Sequence, residues 1–203
     1  MTAAITPRQI FALALPALGV LAANPLYLLL DTAVVGRLGT AELAALAAGA
    51  AIQSTVTTQL TFLSYGTTAR SSRLYGAGKR EGAVAEGVQA TWVAVVVGLC
   101  LSTLIWTLAQ PIAYWLTNDT DTSIAAASWM RVAALAIPLT LIIMAGNGWM
   151  RGVQNTRLPL KLTLAGLIPG AVLLPILVDR FGLVGSAIAN VIGMGICLLY
   201  TSP

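Results

Sequence analysis

The sequence predicts an all-α, polytopic membrane protein, and three observations support this fold class. Hydrophobic residues make up 58% of the 203 residues, charged residues make up 9%, and the mean hydropathy is +0.86. Apolar runs recur that are long enough to cross a hydrocarbon layer as helices, which need roughly 20 residues each. The Lys and Arg residues cluster between these runs, as charges that set membrane topology do. The net charge of +4 therefore does not indicate a nucleic-acid partner.

Six hydrophobic segments are predicted to be transmembrane helices. The first follows Arg8 and could be read as a signal peptide, but its apolar stretch is too long for a signal core. The last two are separated only by Asp179-Arg-Phe-Gly182, which predicts a tight helical hairpin. In chain order the segments cover approximately residues 10–35, 43–69, 88–108, 124–149, 160–178 and 183–200.

Small residues and prolines in these segments predict how the helices pack and bend. The second segment is dense in small residues, as in Leu43-Ala-Ala-Leu-Ala-Ala-Gly-Ala-Ala-Ile52, and small faces let helices approach closely in lipid. Prolines occur in the first, fourth and fifth segments, where each removes a backbone donor and can kink its helix. As a set they favour bent helices around a cavity that changes shape. These residues are Pro16, Pro25, Pro138, Pro169 and Pro175.

Basic residues predict the orientation of the chain. They concentrate before the first segment, between the second and third, and between the fourth and fifth, so these connections share one side. By the positive-inside rule that side is cytoplasmic. We therefore expect a multi-pass protein of the inner (plasma) membrane with a cytoplasmic N-terminus. The residues concerned are Arg8, Arg70, Arg73, Lys79, Arg80, Arg151, Arg157 and Lys161.

Asp31 is the acid inside the first apolar segment and the strongest candidate for a functional site. An acid at a helix centre costs roughly 2.5–3.5 kcal/mol on insertion, whereas each leucine returns only about 0.3–0.6 kcal/mol. Such a carboxylate needs partners or a proton, so it is a cation or proton site by default. If the membrane boundary fell at Asp31, it would instead be an interfacial acid, and both interpretations stay open at this point. Asn24 and Tyr27 share its helix face by their spacing.

Further polar residues at membrane depth are candidates for lining a cavity. Gln53 and Gln59 lie in the second segment, Asn147 in the fourth and Asn190 in the sixth. Each alone is better explained by a structural hydrogen bond between helices than by a role in function. The cysteines fall inside apolar stretches and the chain has no histidine, so no metal site is expected.

Several motifs occur in a characteristic order along the whole chain. They are Leu15-Pro16, Asp31-Thr-Ala-Val-Val-Gly-Arg-Leu-Gly39 with Leu43-Ala-Ala-Leu46, Tyr75-Gly-Ala-Gly-Lys79, Asn147-Gly-Trp-Met-Arg-Gly-Val-Gln-Asn-Thr-Arg-Leu-Pro159 and Gly185-Ser-Ala-Ile-Ala-Asn190. Through them the chain resembles the multidrug and toxic compound extrusion (MATE) family, and within it the bacterial DinF-like branch. Its members are secondary transporters with two six-helix lobes that export drugs or metabolites in exchange for Na⁺ or H⁺. The resemblance implies that residues 1–203 are an N-terminal lobe, acting on a small-molecule substrate in the lipid bilayer.

The resemblance also implies roles for particular residues. Asp31 matches the first-helix acid of the family, and Tyr27 and Asn147 match its polar partners. The match breaks in the fifth helix, where members carry an Asn and an acid and this chain has Gly170 and Leu174. One carboxylate with a phenol and amides is a poor Na⁺ cage, so H⁺ is favoured over Na⁺ as the coupling ion, with no cofactor. The predicted coupling residues are Asp31, Tyr27, Asn24 and Asn147.

Two other functions are left open. A lipid-linked oligosaccharide flippase has a similar architecture but lines its cavity with many cations, whereas only Arg131 lies partly inside a segment here. A non-transporting membrane assembly partner is the second alternative. An enzyme is not expected, because catalysis would need a His, Cys or paired-acid cluster. The chain stops at Tyr200-Thr-Ser-Pro203, where family members continue, so we interpret it as a fragment that lacks its C-terminal lobe.

Overall fold

The chain folds into helices joined by short connections. The computed structural model describes residues 7–155 and 157–201, and these contain helices and no strand. The predicted all-α fold class is therefore confirmed. The helices are α1 (Pro7–Val35), α2 (Thr40–Gln59), α3 (Thr61–Gly76), α4 (Arg80–Thr117), α5 (Thr120–Ala134), α6 (Ala136–Gly152), α7 (Arg157–Phe181) and α8 (Leu183–Thr201).

The predicted hydrophobic segments fall within these helices, but two of them are divided. The second segment is split into α2 and α3 at Leu60, and the fourth into α5 and α6 at Leu135. Among the described residues, α4 and α7 are long and apolar enough to cross a membrane, and α5 with α6 forms a further span bent by 43° if the pair is counted as one. The number of six crossings therefore stays a prediction.

The break between α5 and α6 follows from a proline. Pro138 has no N–H to donate to the carbonyl of Ala134, and its ring crowds that carbonyl. The N–H of Leu135 bonds instead to the Val132 carbonyl at 3.1 Å, three residues back. The other predicted kink sites differ, because Pro169 and Pro175 lie inside a continuous α7. Only Pro138, among the prolines in the described residues, coincides with a helix break.

The break between α2 and α3 occurs without a proline. The hydroxyl of Thr57 donates to the Gln53 carbonyl at 2.8 Å, and that of Thr61 donates to the Thr57 carbonyl at 3.2 Å. Threonine hydroxyls that bond back four residues compete with the helix ladder and bend helices. Leu60, between them, ends α2 with φ −87° and ψ 0°. A segment predicted to be one helix is thus two.

Glycines set the close contact between α7 and α8. Gly182 joins the two helices with φ +60°, so the turn uses the left-handed conformation that glycine adopts without strain. A Cβ on Gly185 would lie 2.0 Å from the Leu177 carbonyl oxygen, and one on Gly166 would lie 2.5 Å from the Gly193 carbonyl oxygen. The two backbones therefore touch along the hairpin, as small residues allow in membrane helices.

Asp119 caps α5 outside the apolar segments, and its charge stabilises the fold at neutral pH. Its Oδ2 accepts the Thr122 N–H at 2.8 Å. Hydrogen bonds from the Thr122 side chain and backbone hold the pKa of Asp119 below its ordinary value of 3.8. A lowered folded-state pKa gives stability that is present above the ordinary value and lost as the pH falls through the folded value.

We therefore expect Asp119→Ala to lower the melting temperature at pH 7 by roughly 2–4 °C, the usual effect of losing such a cap. The difference from the unsubstituted protein should shrink at pH 3. Asp119→Asn is the control, because an amide oxygen still caps the helix. Thermal unfolding in detergent at both pH values measures the effect, and an equal loss in the Asn variant would contradict the capping role.

Candidate functional site

Asp31 lies on an inward, polar face of α1. Its side chain is only 4% exposed, and Tyr27, one turn earlier, is 9% exposed, so both face the protein interior. The leucines between and before them point outward, with Leu29 the most exposed at 67%. The spacing of Tyr27 and Asp31 in the sequence predicted that they share a helix face, and in the structure this is the inward face of α1. The side chain of Asn24 lies outside the described residues.

Asp31 opens into a cavity of about 290 Å³ formed by five helices. Tyr27 and Asp31 enter it from α1, and residues of α2, α5, α6 and α8 complete the wall. Asp31 is the charged residue of this lining within the part of the chain that the structure describes. The polar side chains from the other helices include Gln53, Thr57, Trp129, Thr140 and Asn190.

A second cavity of about 250 Å³ adjoins the first. The two share Tyr27 and Asn190 in their walls, so they lie side by side between the helices. Asn147 lines the second cavity and is not among the described residues that line the first. The structure therefore separates Asn147 from the Asp31 cavity and brings Asn190, expected only as a cavity residue, into it.

Three oxygen atoms around the first cavity are buried without a hydrogen-bond partner among the described residues. They are Oδ1 of Asp31, the hydroxyl of Tyr27 and Oδ1 of Asn190. Buried polar atoms without partners are rare in proteins, and each one calls for an explanation. The Tyr27 hydroxyl is also close enough to Asp31 to interact with its charge. A proton on Asp31 would turn one of these acceptors into a donor.

Trp129 of the cavity wall is held by Ser186, and the sequence did not identify either. Trp129 Nε1 donates to Ser186 Oγ at 2.8 Å, and both side chains are buried. One signal could have revealed Ser186, because it lies four residues before Asn190 and so shares its face of α8. Nothing in the sequence marked Trp129.

The remaining candidates differ in position. Gln53 lines the Asp31 cavity, whereas Gln59 is exposed at the end of α2. Gly170 of α7 approaches Tyr27, since a Cβ on it would lie 3.5 Å from Tyr27 Cε2. Leu174 is fully buried in the apolar core. The two α7 positions at which family members carry polar groups therefore bring no side-chain oxygen to this chain.

Comparison with known proteins agrees with this architecture. The MatE family profile matches residues 16–176. The chain is 31% identical over 199 residues to Protein DETOXIFICATION 44, chloroplastic, of Arabidopsis thaliana, covering 91% of this chain and 38% of that protein. It is 27% identical over 161 residues to the probable multidrug resistance protein NorM of Neisseria meningitidis serogroup A, covering 79% of this chain and 35% of that protein.

Solved structures share the fold at low sequence identity. A MATE crystal structure in the bent conformation superimposes with a TM-score of 0.88 at 23% identity, covering 94% of this chain and 43% of the other. A transporter of the MOP superfamily from Pyrococcus furiosus gives a TM-score of 0.86 at 23% identity, covering 93% and 42%. The chain thus spans about two fifths of the length of these relatives. Since the profile covers most of the chain, the chain belongs to the MatE family of multi-pass membrane transporters.

Proposed function

We propose that this chain forms the N-terminal lobe of a secondary transporter that exports small molecules in exchange for protons. Asp31 is the proton carrier, with Tyr27 and Asn190 beside it. The lobe lies in the inner (plasma) membrane with its N-terminus in the cytoplasm. A C-terminal lobe completes the transport pathway, as the relatives of more than twice this length suggest.

The burial of a lone carboxylate carries the proposal. Asp31 is 4% exposed, and its Oδ1 meets no donor among the described residues. A charged carboxylate in such surroundings is costly, and taking up a proton removes the charge. The protonated oxygen could then donate to the Tyr27 hydroxyl or to Asn190 Oδ1, which also lack partners.

Protonation supplies a way to move α1. In the carboxylate form Asp31 accepts hydrogen bonds, whereas in the neutral form it donates one. Pro25, which lines the same cavity, leaves a carbonyl of α1 without its usual partner and is a natural point of bending. Entry of a proton from the outer side would bend α1 and narrow the adjoining cavity, which holds the substrate. Release of the proton to the cytoplasm would reset the lobe.

The chemistry of the lining favours H⁺ over Na⁺. A hard cation needs several oxygen ligands held at one distance. Asp31 brings one carboxylate to the cavity, and α7 presents Gly170 and Leu174 in place of further oxygen ligands. A proton needs only the carboxyl group itself.

The adjoining cavity suits a largely apolar substrate. Its wall includes Ile143, Met144, Leu167 and Met194, with Asn147 among its polar groups. Apolar pockets with a few polar groups bind small organic molecules, and methionines adapt to different shapes. The described lining of either cavity holds no Lys or Arg that would clasp a pyrophosphate.

Reconstitution of the intact transporter in proteoliposomes tests this function. A panel of lipophilic dyes should be exported when a pH gradient is imposed in Na⁺-free buffer. A Na⁺ gradient at equal pH on both sides should drive no export. Export driven by Na⁺ alone, or no export of any dye under either gradient, would contradict the proposal.

A further inference from the structure

We infer that the lobe moves as two units, which pivot about the buried hydrogen bond between Trp129 and Ser186. The scaffold is the group of helices α2 to α6, and the hairpin unit is the group α1, α7 and α8. The division follows from the contacts between helices, and its use in transport rests on the proposed function. Both cavities lie between the two units, with lining residues from each.

Side-chain hydrogen bonds fasten α6 to α3 and to α4 within the scaffold. Thr68 Oγ1 of α3 donates to the Gly148 carbonyl of α6 at 2.9 Å. Trp149 Nε1 of α6 donates to the Ala83 carbonyl of α4 at 2.7 Å. Both bonds are partly buried, where hydrogen bonds are stronger than in water. The later halves of the two broken spans, α3 and α6, are therefore held together with α4.

Glycine contacts complete the scaffold. A Cβ on Gly98 of α4 would lie 2.6 Å from Pro138 Cα, so α4 packs directly against the start of α6, beside its break from α5. A Cβ on Gly49 of α2 would lie 2.5 Å from Trp129 Cε3, so α2 packs directly against α5. α4 is one continuous helix of 38 residues, about 57 Å long at 1.5 Å per residue. It therefore keeps the halves of its broken neighbours in line.

Close contacts join α7 to both α8 and α1 in the hairpin unit. The α7–α8 contact is the glycine-rich hairpin described above. On the α1 side, a Cβ on Gly19 would lie 2.9 Å from Leu160 Cδ1 of α7. Further along, Gly170 of α7 packs against the ring of Tyr27. Because Asp31 also lies on α1, the hairpin unit carries the proposed proton site.

The two units are packed together at one end of the bundle. There α1 and α7 end and α8 begins, and this is the outer end in the predicted orientation. Val178 of α7 and Leu183 of α8 belong to the same buried apolar core as Leu46 of the scaffold. Trp129 Nε1 of α5 donates to Ser186 Oγ of α8 at 2.8 Å, and these side chains are 3% and 0% exposed. This bond has a preferred distance and angle, so it fixes the two units at one point.

Toward the cytoplasm, the boundary contains the second cavity instead of packed side chains. Its scaffold wall includes Ile143 and Asn147 of α6. Its opposite wall belongs to the hairpin unit and includes Leu167 of α7 and Met194 of α8. Close-packed interiors resist displacement, whereas helices that face each other across a cavity can approach without moving other atoms aside. The separation of the two units can therefore change at this end.

A fixed outer end with a cavity further in is the geometry of a pivot. A swing of the hairpin unit about the Trp129–Ser186 bond would widen or narrow the second cavity and change the outer end little. Because α1 packs on α7, a change in hydrogen bonding at Asp31 acts on the whole hairpin unit. One moving body thus joins the proposed proton site to the proposed substrate cavity.

Distances between paired spin labels, measured by double electron–electron resonance, test the division. The intact transporter is studied in lipid nanodiscs without substrate, and its own cysteines are replaced by alanine. The inner pair joins Ser72 of α3 to Leu199 of α8, and the outer pair joins Thr120 of α5 to Arg180 of α7. A scaffold pair joins Ser72 to Gln89 of α4. Each position is exposed and is changed to cysteine for labelling.

The inner pair should give the broadest distribution of distances. Its width should exceed that of the outer pair and of the scaffold pair by roughly 2–5 Å, the range from a helix shift to a one-turn displacement. The outer and scaffold pairs should have similar, narrow distributions. Equal widths for the inner and outer pairs, or a scaffold pair as broad as the inner pair, would overturn the division into two units.

Variants of the pivot give a second readout. Trp129→Phe and Ser186→Ala each remove the hydrogen bond, so the outer pair should broaden toward the width of the inner pair. The double variant should show no further broadening, because both residues act through one bond. Trp149→Phe is the matched control, since it removes an indole hydrogen bond inside the scaffold and should leave the outer pair narrow.

The results separate the pivot from the transport proposal. An outer pair that stays narrow in Trp129→Phe and Ser186→Ala, or that broadens equally in Trp149→Phe, would overturn the pivot. Size-exclusion chromatography of each variant confirms that the labelled protein is folded. Export driven by a Na⁺ gradient alone would overturn proton coupling and leave the predicted distances unchanged.

Discussion

Replacing Asp31 with Asn should reduce export driven by a pH gradient to the level of protein-free liposomes. Asparagine has nearly the same shape as aspartate, but it cannot take up or release a proton. The protein should therefore still fold, because the variant removes the cost of a buried charge. Dye fluorescence in proteoliposomes, under an imposed pH gradient, measures the loss.

A matched acid gives the control for this variant. Asp179 is exposed near the C-terminal end of α7. Asp179→Asn changes the net charge in the same way as Asp31→Asn, and its export should match that of the unsubstituted protein. Substrate binding should persist in Asp31→Asn, since the adjoining cavity contains no part of the carboxyl. Equal export by the two variants would show that Asp31 does not couple transport to protons.

Gly185→Ala should destabilise the fold more than any other single methyl group added to the α7–α8 hairpin. The new Cβ would lie 2.0 Å from the Leu177 carbonyl oxygen, and a backbone carbonyl cannot rotate away as a flexible side chain can. Overpacking of this kind costs typically about 1–3 kcal/mol, and the backbone contact places this variant at the upper end. For a chain of this size that corresponds to a melting temperature lower by roughly 4–12 °C.

The effect of Gly185→Ala should reach the site as well. Ser186 is the next residue, so moving α8 away from α7 would also move its hydroxyl relative to Asp31. Gly195→Ala is the control on the same helix, because a Cβ there would meet nothing within 4 Å. Thermal unfolding followed by size-exclusion chromatography in detergent compares the two. Equal melting temperatures would contradict the tight contact between α7 and α8.

The sequence could predict features that depend on local spacing. Asp31 and Tyr27 lie four residues apart, which in a helix places them on one face, and an acid among leucines marked that face as functional. Residues 179–182, ending in a glycine, predicted the hairpin between α7 and α8. These predictions needed no knowledge of which helices are neighbours.

The sequence could not predict which distant segments are in contact. Trp129 and Ser186 are 57 positions apart, and only the packing of α5 on α8 brings the indole to the hydroxyl. Asn147 could be placed on the fourth segment, but the cavity that it lines depends on how α6 packs against the other helices. The break at Leu60 arises from threonine hydroxyls that bond to the backbone. In a sequence, threonine is a weaker signal of a helix break than proline.

Proton release upon substrate binding measures the role of Asp31 most directly. The intact transporter, solubilised in detergent in weakly buffered Na⁺-free solution, is mixed with an exported dye, and the pH change is recorded. Because binding and protonation are linked reciprocally, a substrate expelled by protonation must displace the proton when it binds. We expect a release of up to one proton per transporter in the unsubstituted protein, because linkage through one carboxyl sets that upper limit, and no release in Asp31→Asn. Equal proton release by the two proteins would contradict the assignment of Asp31 as the proton carrier.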